Sequence, residues 1–397
     1  MANNKNTKVP NVPNLRFPEF TGEWKKERLE DIADFSKGSG ISKEQLSEKG
    51  EPCILYGELY TKYKSEVIFD IISKTDIDNT KLVKSQANDV IIPSSGETAE
   101  DIATARCVLK KNILLGGDLN IIRLHKHNGS FMSYQLNGKR KYDIAKVAQG
   151  VSVVHLYGEH LKGVNTYNPC IEEQKKIARL LSLLDERIAT QNKIIEDLKK
   201  LKSAIIEMEY GNMAKSISHI GDFIEQTSKR NKDSAILNVL SVSNSQGFIQ
   251  QSEQFENRIV ASDDTSNYKI VARNDFAFNP ARINVGSIAR LTTFERGIVS
   301  PMYICFRTKD NLFPEYLDYY FESKRFFAEI QKRLEGSVRQ CLSFEGLCNI
   351  PLCIPTVEIQ QQIGKRLSTL AKEIKLEIDF LELLQRQKRF LLHQMFI

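Results

Sequence analysis

Arg282 and Asn284 stand two apart in the turn-rich stretch Asn279-Pro280-Ala281-Arg282-Ile283-Asn284. Arg carries a donor fork that matches the O6 and N7 acceptors of guanine, and the Asn amide matches the N6 and N7 edge of adenine, so the pair suits base readout in a DNA groove. Small polar residues, cations and aromatics recur in two regions of the chain. In the first they are Lys37, Tyr56, Lys62, Tyr63, Ser94, Ser95, Thr98 and Arg106; in the second, Lys229, Arg230, Ser243, Asn244, Arg282, Asn284 and Arg339. Such side chains on turns reach base edges and phosphates, and each taken singly is also an ordinary solvated surface residue.

No catalytic constellation accompanies them. The nearest approach to a phosphate loop, GEHLKGVN from Gly158, has Val164 where a Lys must stand to reach a nucleotide's phosphates. A DNA amino-methyltransferase would need an Asn/Asp-Pro-Pro-aromatic turn, but the two candidates read Asn168-Pro169-Cys170 and Asn279-Pro280-Ala281, without a ring to stack on a base. No G-x-G-x-x-G follows a strand, no G-x-S-x-G is present, and the six His form no HExxH. His155 and His160 fall near a predicted loop and read as structural. Cys107 with His125 and His127 hints at metal, but the spacing matches no standard zinc site. Catalytic and metal-ligating residues are therefore left unassigned, and no cofactor is expected in this chain.

Composition sets the remaining bounds. The seven cysteines form no CxxC and suit a reducing compartment. A net charge of +6 permits a polyanionic partner without demanding one. With 41% apolar and 27% charged residues, no apolar run near the roughly twenty needed to span a bilayer, and no apolar signal core in MANNKNTKVP, the chain is expected to be cytoplasmic.

The elements that must position these residues are set by an internal repeat. A run after Asn168-Pro169 recurs 186 positions later, after Ile354-Pro355. Ile177, Leu181, Leu184, Ile188, Gln191, Ile195, Leu198, Lys202 and Ile205 step by four and three alternately, as the seam of a coiled coil does. Ile363, Leu367, Leu370, Ile374, Glu377, Leu381, Leu384, Lys388 and Leu391 repeat the pattern, with both polar interruptions in register. Each run predicts an unbroken helix of about 60 Å, and the two are expected to pack side by side. Leu180, Ile194, Leu201 and Met208 widen the first stripe beyond a two-helix seam and leave surface for another partner.

The repeat extends beyond the helices. Asn88-Asp89 precedes Asn274-Asp275 by the same 186 residues, and Gly150, Leu156, Leu161 and Val164 match Gly336, Leu342, Leu347 and Ile350. Between these landmarks the two globular segments differ. Short β-runs (53–60, 88–93 and 119–124; 236–243, 274–279, 287–291 and 301–307) precede helix-like stretches near 131–148 and 314–334, an α+β pattern. The expected division is a first recognition domain at 1–168, a central helix at 169–213, a second recognition domain at 214–354 and a C-terminal helix at 355–397.

The opening PNLRFPEFTGEWKKERLEDIADF, the helix start EEQKKIARLLSLLDERI, its repeat EIQQQIGKRLSTLAKEI and the closing LLHQMF resemble the specificity subunit of type I restriction-modification systems. The resemblance covers nearly the whole chain and is loose in the globular segments. It implies two target-recognition domains, each reading half of a bipartite asymmetric site in double-stranded DNA, and a helix pair that sets their separation. It implies docking of two methyltransferase subunits, which bring S-adenosylmethionine and methylate adenine, and of ATP-dependent restriction subunits that translocate DNA; ATP and Mg thus belong to partners. Gly364, where the first copy has Ala178, is a departure with a helix-propensity cost of about 1 kcal/mol. If the helices pack antiparallel, the two modules acquire a pseudo-twofold relation, about one duplex turn apart. A methyltransferase acting alone and a coiled-coil adaptor without DNA readout are the alternatives.

Overall fold

The computed structural model describes residues 10–78, 80–150, 153–211, 218–244, 246–254, 264–336 and 340–397. The chain divides into two units, residues 1–192 with 379–397 and residues 193–378. Each unit joins one globular segment to half of each long helix, so the units cut across the four segments expected from sequence. The helices are α1 (Ile171–Gly211) and α2 (Val357–Gln394).

In the first unit, β1 (Ala33–Lys37), β2 (Val67–Ile68), β3 (Asp89–Pro93), β4 (Arg106–Val108) and β5 (Leu119–Leu124) form one sheet in the order β1-β5-β3-β4-β2. β3 is buried along its length because both faces of the sheet are covered. Val90 and Ile92 pack with Met132, Leu136 and Ile144, whereas Ile91 packs with Leu59, Tyr63 and Ile121, the two-residue alternation of a strand. The second unit holds β6 (Ile224–Thr227), β7 (Val239–Ser243), β8 (Gly247–Gln250), β9 (Lys269–Ala272), β10 (Phe276–Phe278), β11 (Ile288–Arg290), β12 (Arg296–Val299) and β13 (Ile304–Thr308). They form two four-stranded sheets, β6-β13-β10-β11 and β8-β7-β12-β9.

Two local expectations need correction. The run at 53–60 is extended only over Glu51–Ile54 and then turns into a short helix, Glu58–Thr61. The buried carboxylate of Glu58 accepts the Leu55 N–H at 3.0 Å and pairs with Lys62 at 2.6 Å, which favours the turn over a longer strand. Each long helix-like stretch is also two helices. Gly129–Asn137 ends at Gly138 before Lys141–Val147, and Pro314–Tyr320 gives way to Lys324–Gln331 at Ser323, whose hydroxyl caps the Phe326 N–H at 3.2 Å.

The repeat landmarks have a physical cause. Asn88 and Asn274 both adopt positive φ, 81° and 70°, a conformation Asn tolerates better than most side chains. The following Asp closes the turn: Asp89 accepts the Gln86 N–H at 2.7 Å and Asp275 the Ala272 N–H at 2.9 Å. Arg123 then pairs with Asp89 at 2.9 Å, and Arg307 with Asp275 at 3.2 Å. Gly150 and Gly336, at φ 123° and 104°, lie just inside matching bridges, Gln149 with His155 and Glu335 with Cys341.

The seam of the helices follows the same logic. All eighteen seam positions from Ile177 to Ile205 and from Ile363 to Leu391 are buried or half-buried. In the first unit, Ile177, Ala178 and Leu181 near the start of α1 pack with Leu391, Leu392, Met395 and Phe396 at the end of α2. In the second, Ile206 and Tyr210 at the end of α1 pack in one core with Ile363 and Leu367 near the start of α2. Within each unit the helices therefore run antiparallel. A buried Gln joins each helix start to its globular segment. Gln174 donates to the Pro169 carbonyl at 2.9 Å and accepts the Asn128 N–H at 2.9 Å; Gln360 donates to the Pro355 carbonyl at 2.9 Å and accepts the Phe313 N–H at 2.8 Å. Gly364 gains a positive reason to be there, since a Cβ at this position would meet the Glu315 Cβ at 3.1 Å.

Candidate nucleic-acid interface

In the first unit the loops after β1 and β3 and before β5 converge. The Gly38 N–H donates to the Leu119 carbonyl at 3.0 Å, and the Ser94 N–H to the Asp118 carbonyl at 2.7 Å. This brings exposed Lys37 and half-buried Ser95 to one rim, while Ser94 itself is buried with its hydroxyl toward Asp118. Ser95 lies 3.4 Å from the His155 Nδ1, and Lys37 stands over the ring of Tyr157, 5.5 Å from its centroid. Tyr56 and Lys62 line a cleft of about 940 Å³ with Lys43, Tyr60, Gly40 and Asp118.

Other residues chosen from sequence have local roles. Arg106 is buried, and its guanidinium donates to the carbonyls of Leu59, Ala105 and Tyr63 at 3.2, 3.2 and 3.1 Å. Tyr63 is buried as well, its hydroxyl accepting the Ile72 N–H at 3.3 Å. Thr98 is exposed but caps the helix Ala99–Ile102, accepting the Asp101 N–H at 3.1 Å. Arg106, Tyr63 and Ser94 therefore leave the set of candidates for surface contact, because burial and internal hydrogen bonds occupy them.

In the second unit the turn between β7 and β8 and the loop between β10 and β11 come together. A Cβ on Gly286 would lie 3.7 Å from that of Asn244, and the Ser287 hydroxyl donates to the Val242 carbonyl at 3.3 Å. Gly286 sits at φ 88°, closing a loop that presents exposed Arg282 and half-buried Asn284 beside Ser243 and Asn244. Lys229 and Arg230 line a different cleft of about 730 Å³ with Lys232 and Arg296. Arg230 also donates to the Asn267 side chain at 2.7 Å. Arg339 lies outside the described residues.

The sequence offers His155 and His160 only as catalytic candidates, and Tyr157 between them carries no signal of its own. Their pattern, an aromatic between two imidazoles, was the available signal. Lys43, Tyr60, Lys232 and Arg296 gave no such signal, since chain folding alone brings them beside the predicted residues. Among the described residues no group of three His, Cys, Asp or Glu could hold a metal ion. Cys107 and His127 serve the fold: burial pushes the Cys107 thiol up to about 12, and the His127 imidazole lies 2.9 Å from the Gln174 amide. Among the described residues no helix is long and apolar enough to cross a membrane.

The long helices expose apolar residues away from their seam. They include Leu180, Leu183, Leu383 and Phe390 in the first unit, and Ile194, Leu201, Met208 and Leu376 in the second. The steps 194, 201, 208 and 376, 383, 390 are each seven residues, so the exposed positions keep one face of their helix.

Residues 21–200 and 216–386 match the model of a family described as type I restriction modification DNA specificity domain. A curated relative, the type I restriction enzyme MjaVIII specificity subunit of Methanocaldococcus jannaschii, is 27% identical over 197 residues. That stretch takes in 49% of this chain and 42% of the relative. Among solved structures, the type I restriction-modification S subunit from M. genitalium is similar at a TM-score of 0.64 and 16% identity, over 97% of this chain and 99% of that one. A chain from a structure on complex assembly and conformational transition of the type I R-M system is similar at 0.53 and 13% identity, over 94% and 97%. These likenesses share the α+β fold with its long helices, and the two matched segments cover both halves of the repeat. The chain belongs to the family of type I restriction-modification DNA specificity domains and carries two copies of that domain in tandem.

Proposed function

We propose that this chain is the DNA-reading, non-catalytic subunit of a type I restriction-modification assembly and recognises a bipartite, asymmetric site. The observation that carries this reading is a duplicated frame with unlike loops. The Asn-Asp turns, Arg-Asp pairs and Gln-anchored helix starts are repeated, whereas the rim of Lys37, Ser95 and Tyr157 and the loop of Asn244, Arg282 and Asn284 are not. Equivalent frames bearing different side chains bind two different half-sites. The helices set the spacer, and their exposed apolar faces receive two methyltransferase subunits, since exposed apolar positions at a seven-residue step suit further helices. S-adenosylmethionine, ATP and Mg act on the methyltransferase and restriction subunits, in the cytoplasm where the DNA lies.

Methylation-site sequencing of DNA from cells carrying this chain and its partner subunits tests the reading. The expected result is one two-part motif, of which a single half changes when residues 214–353 are exchanged for another module. Modification without a bipartite motif, or a change in both halves, contradicts it. Substantial methylation by the purified chain alone favours the stand-alone enzyme instead.

A further inference from the structure

Tyr157 has a setting that packing does not explain. Its residue is 44% exposed, yet the ring is oriented on several sides. The Lys37 ammonium stands over it at 5.5 Å, the His155 ring lies nearly parallel at 6.2 Å and 23°, and the His160 ring meets it edge-on at 5.5 Å and 82°. His155 is itself held by Ser95 at 3.4 Å and by the bridge to Gln149. Lys37 makes no ion pair among the described residues, so its charge has no carboxylate partner beside the ring. The His160 Nδ1 is buried and has no hydrogen-bond partner among the described residues.

An exposed aromatic with an unpaired cation over it binds a flat, anionic ligand. Nucleotides have this character: the base stacks on the ring and the phosphate meets the ammonium. In an intact duplex, however, neighbouring pairs cover both faces of every base. A ring can stack only on a base that has left the stack, at a kink or in an extrahelical position. Lys37 has the flexible stem needed to swing from the ring to the phosphate of the same nucleotide.

The structure assigns Tyr157, with Lys37 and His155, as a stacking site for one unstacked nucleobase within the half-site read by the first module. The equivalent position of the second unit carries no ring. At the position 186 residues on from Tyr157 stands Ser343, whose hydroxyl accepts the Gly346 N–H at 3.0 Å and caps the helix Phe344–Cys348. The unstacked base is therefore confined to one half of the recognition sequence. This inference rests on the bipartite DNA reading proposed above.

The test uses the full chain assembled with its methyltransferase subunits and duplexes bearing 2-aminopurine at each position of the first half-site in turn. Tyr157→Phe keeps the ring and is expected to bind like the wild type, with the probe as bright as in the wild-type assembly at every position, the adenine extruded by a methyltransferase subunit included. Tyr157→Ala is expected to weaken binding about five- to a hundredfold, the loss typical of removing one stacking partner, and to raise fluorescence at a single position. Unchanged affinity in Tyr157→Ala, equal loss in Tyr157→Phe, or no position that brightens overturns the stacking site while leaving the bipartite reading intact. Absence of any sequence preference in the wild-type assembly overturns both.

Discussion

Lys202 and Lys388 occupy matching seam positions, and the structure predicts that their removal has very different costs. Lys388 is 14% exposed and pairs with Glu66, 11% exposed, at 2.5 Å and with Asp185, 4% exposed, at 2.6 Å. Asp185 also accepts hydrogen bonds from Tyr134 at 2.7 Å and Ser65 at 2.8 Å. Burial alone would lower the Lys388 pKa, but the two carboxylates outweigh it and raise it. Lys388→Ala strands both carboxylates in a dry site, which costs about 3–5 kcal/mol by analogy with broken buried ion pairs. Lys202 is 19% exposed, but its partner Glu322 is 47% exposed and can return to water. Lys202→Ala should therefore cost about 0–1 kcal/mol. The chain's single Trp provides the assay for the first unit, because Trp24 lies 5.7 Å from Phe131 and 6.3 Å from Phe396 at the end of α2. Urea titrations followed by Trp24 fluorescence measure Lys388→Ala, and amide hydrogen exchange across both units compares the two variants. The combination Lys388→Met, Asp185→Asn and Glu66→Gln should recover most of the loss by removing the stranded charges. Equal shifts for the two lysines, or a Lys388→Ala shift below about 1 kcal/mol, would refute the assignment of a buried charge network.

Arg282→Ala should relax discrimination at one base of the second half-site by about 1–3 kcal/mol, whereas Arg106→Ala should lower stability first, by taking the guanidinium donor from the Leu59 and Tyr63 carbonyls while the Ala105 carbonyl keeps the Asn137 amide; half-site selection and thermal melting separate the two. Leu201→Glu with Met208→Glu should weaken capture of a methyltransferase subunit in pull-down titrations without lowering the melting temperature, since both side chains are exposed. His127 supplies a pH test. Burial, only partly opposed by Glu27 and the Gln174 contact, holds its pKa below the usual value of 6.5. Its stabilising contribution is thus present above pH 6.5 and is lost as pH falls through the lower folded value, so His127→Gln should flatten the acid side of the stability profile. Inserting seven residues near Gln191 and seven near Glu377 keeps the seam in phase and adds about 10 Å of helix; methylation-site sequencing should show a spacer longer by about three base pairs with both half-sites unchanged.

The helices were legible because their burial follows a short period that sequence displays directly. Even the polar breaks in the seam carry over, and Lys388 and Lys202 each find a carboxylate there. The turns were legible as landmarks because only a few residue types accept the backbone conformation of Asn88 and Asn274. The candidate interface was less so. Arg106 looks like a surface cation in sequence, but the carbonyls of Leu59 and Tyr63, 47 and 43 residues earlier, take up its guanidinium in the interior. Tyr157 acquires its meaning from Lys37, 120 residues before it, and no local pattern encodes that meeting. Glu58 redirected a strand through a hydrogen bond to the backbone three residues back, which β-propensity does not anticipate.

Gly364 limits how alike the two copies can become. Copying Ala178 into its place would add a methyl group against Glu315, and the helix Pro314–Tyr320 would have to retreat by a few tenths of an ångström. The mismatch between the repeats is thus a steric lock: the start of α2 fits the second globular segment closely, and a helix start transplanted from the first copy would sit proud of that surface.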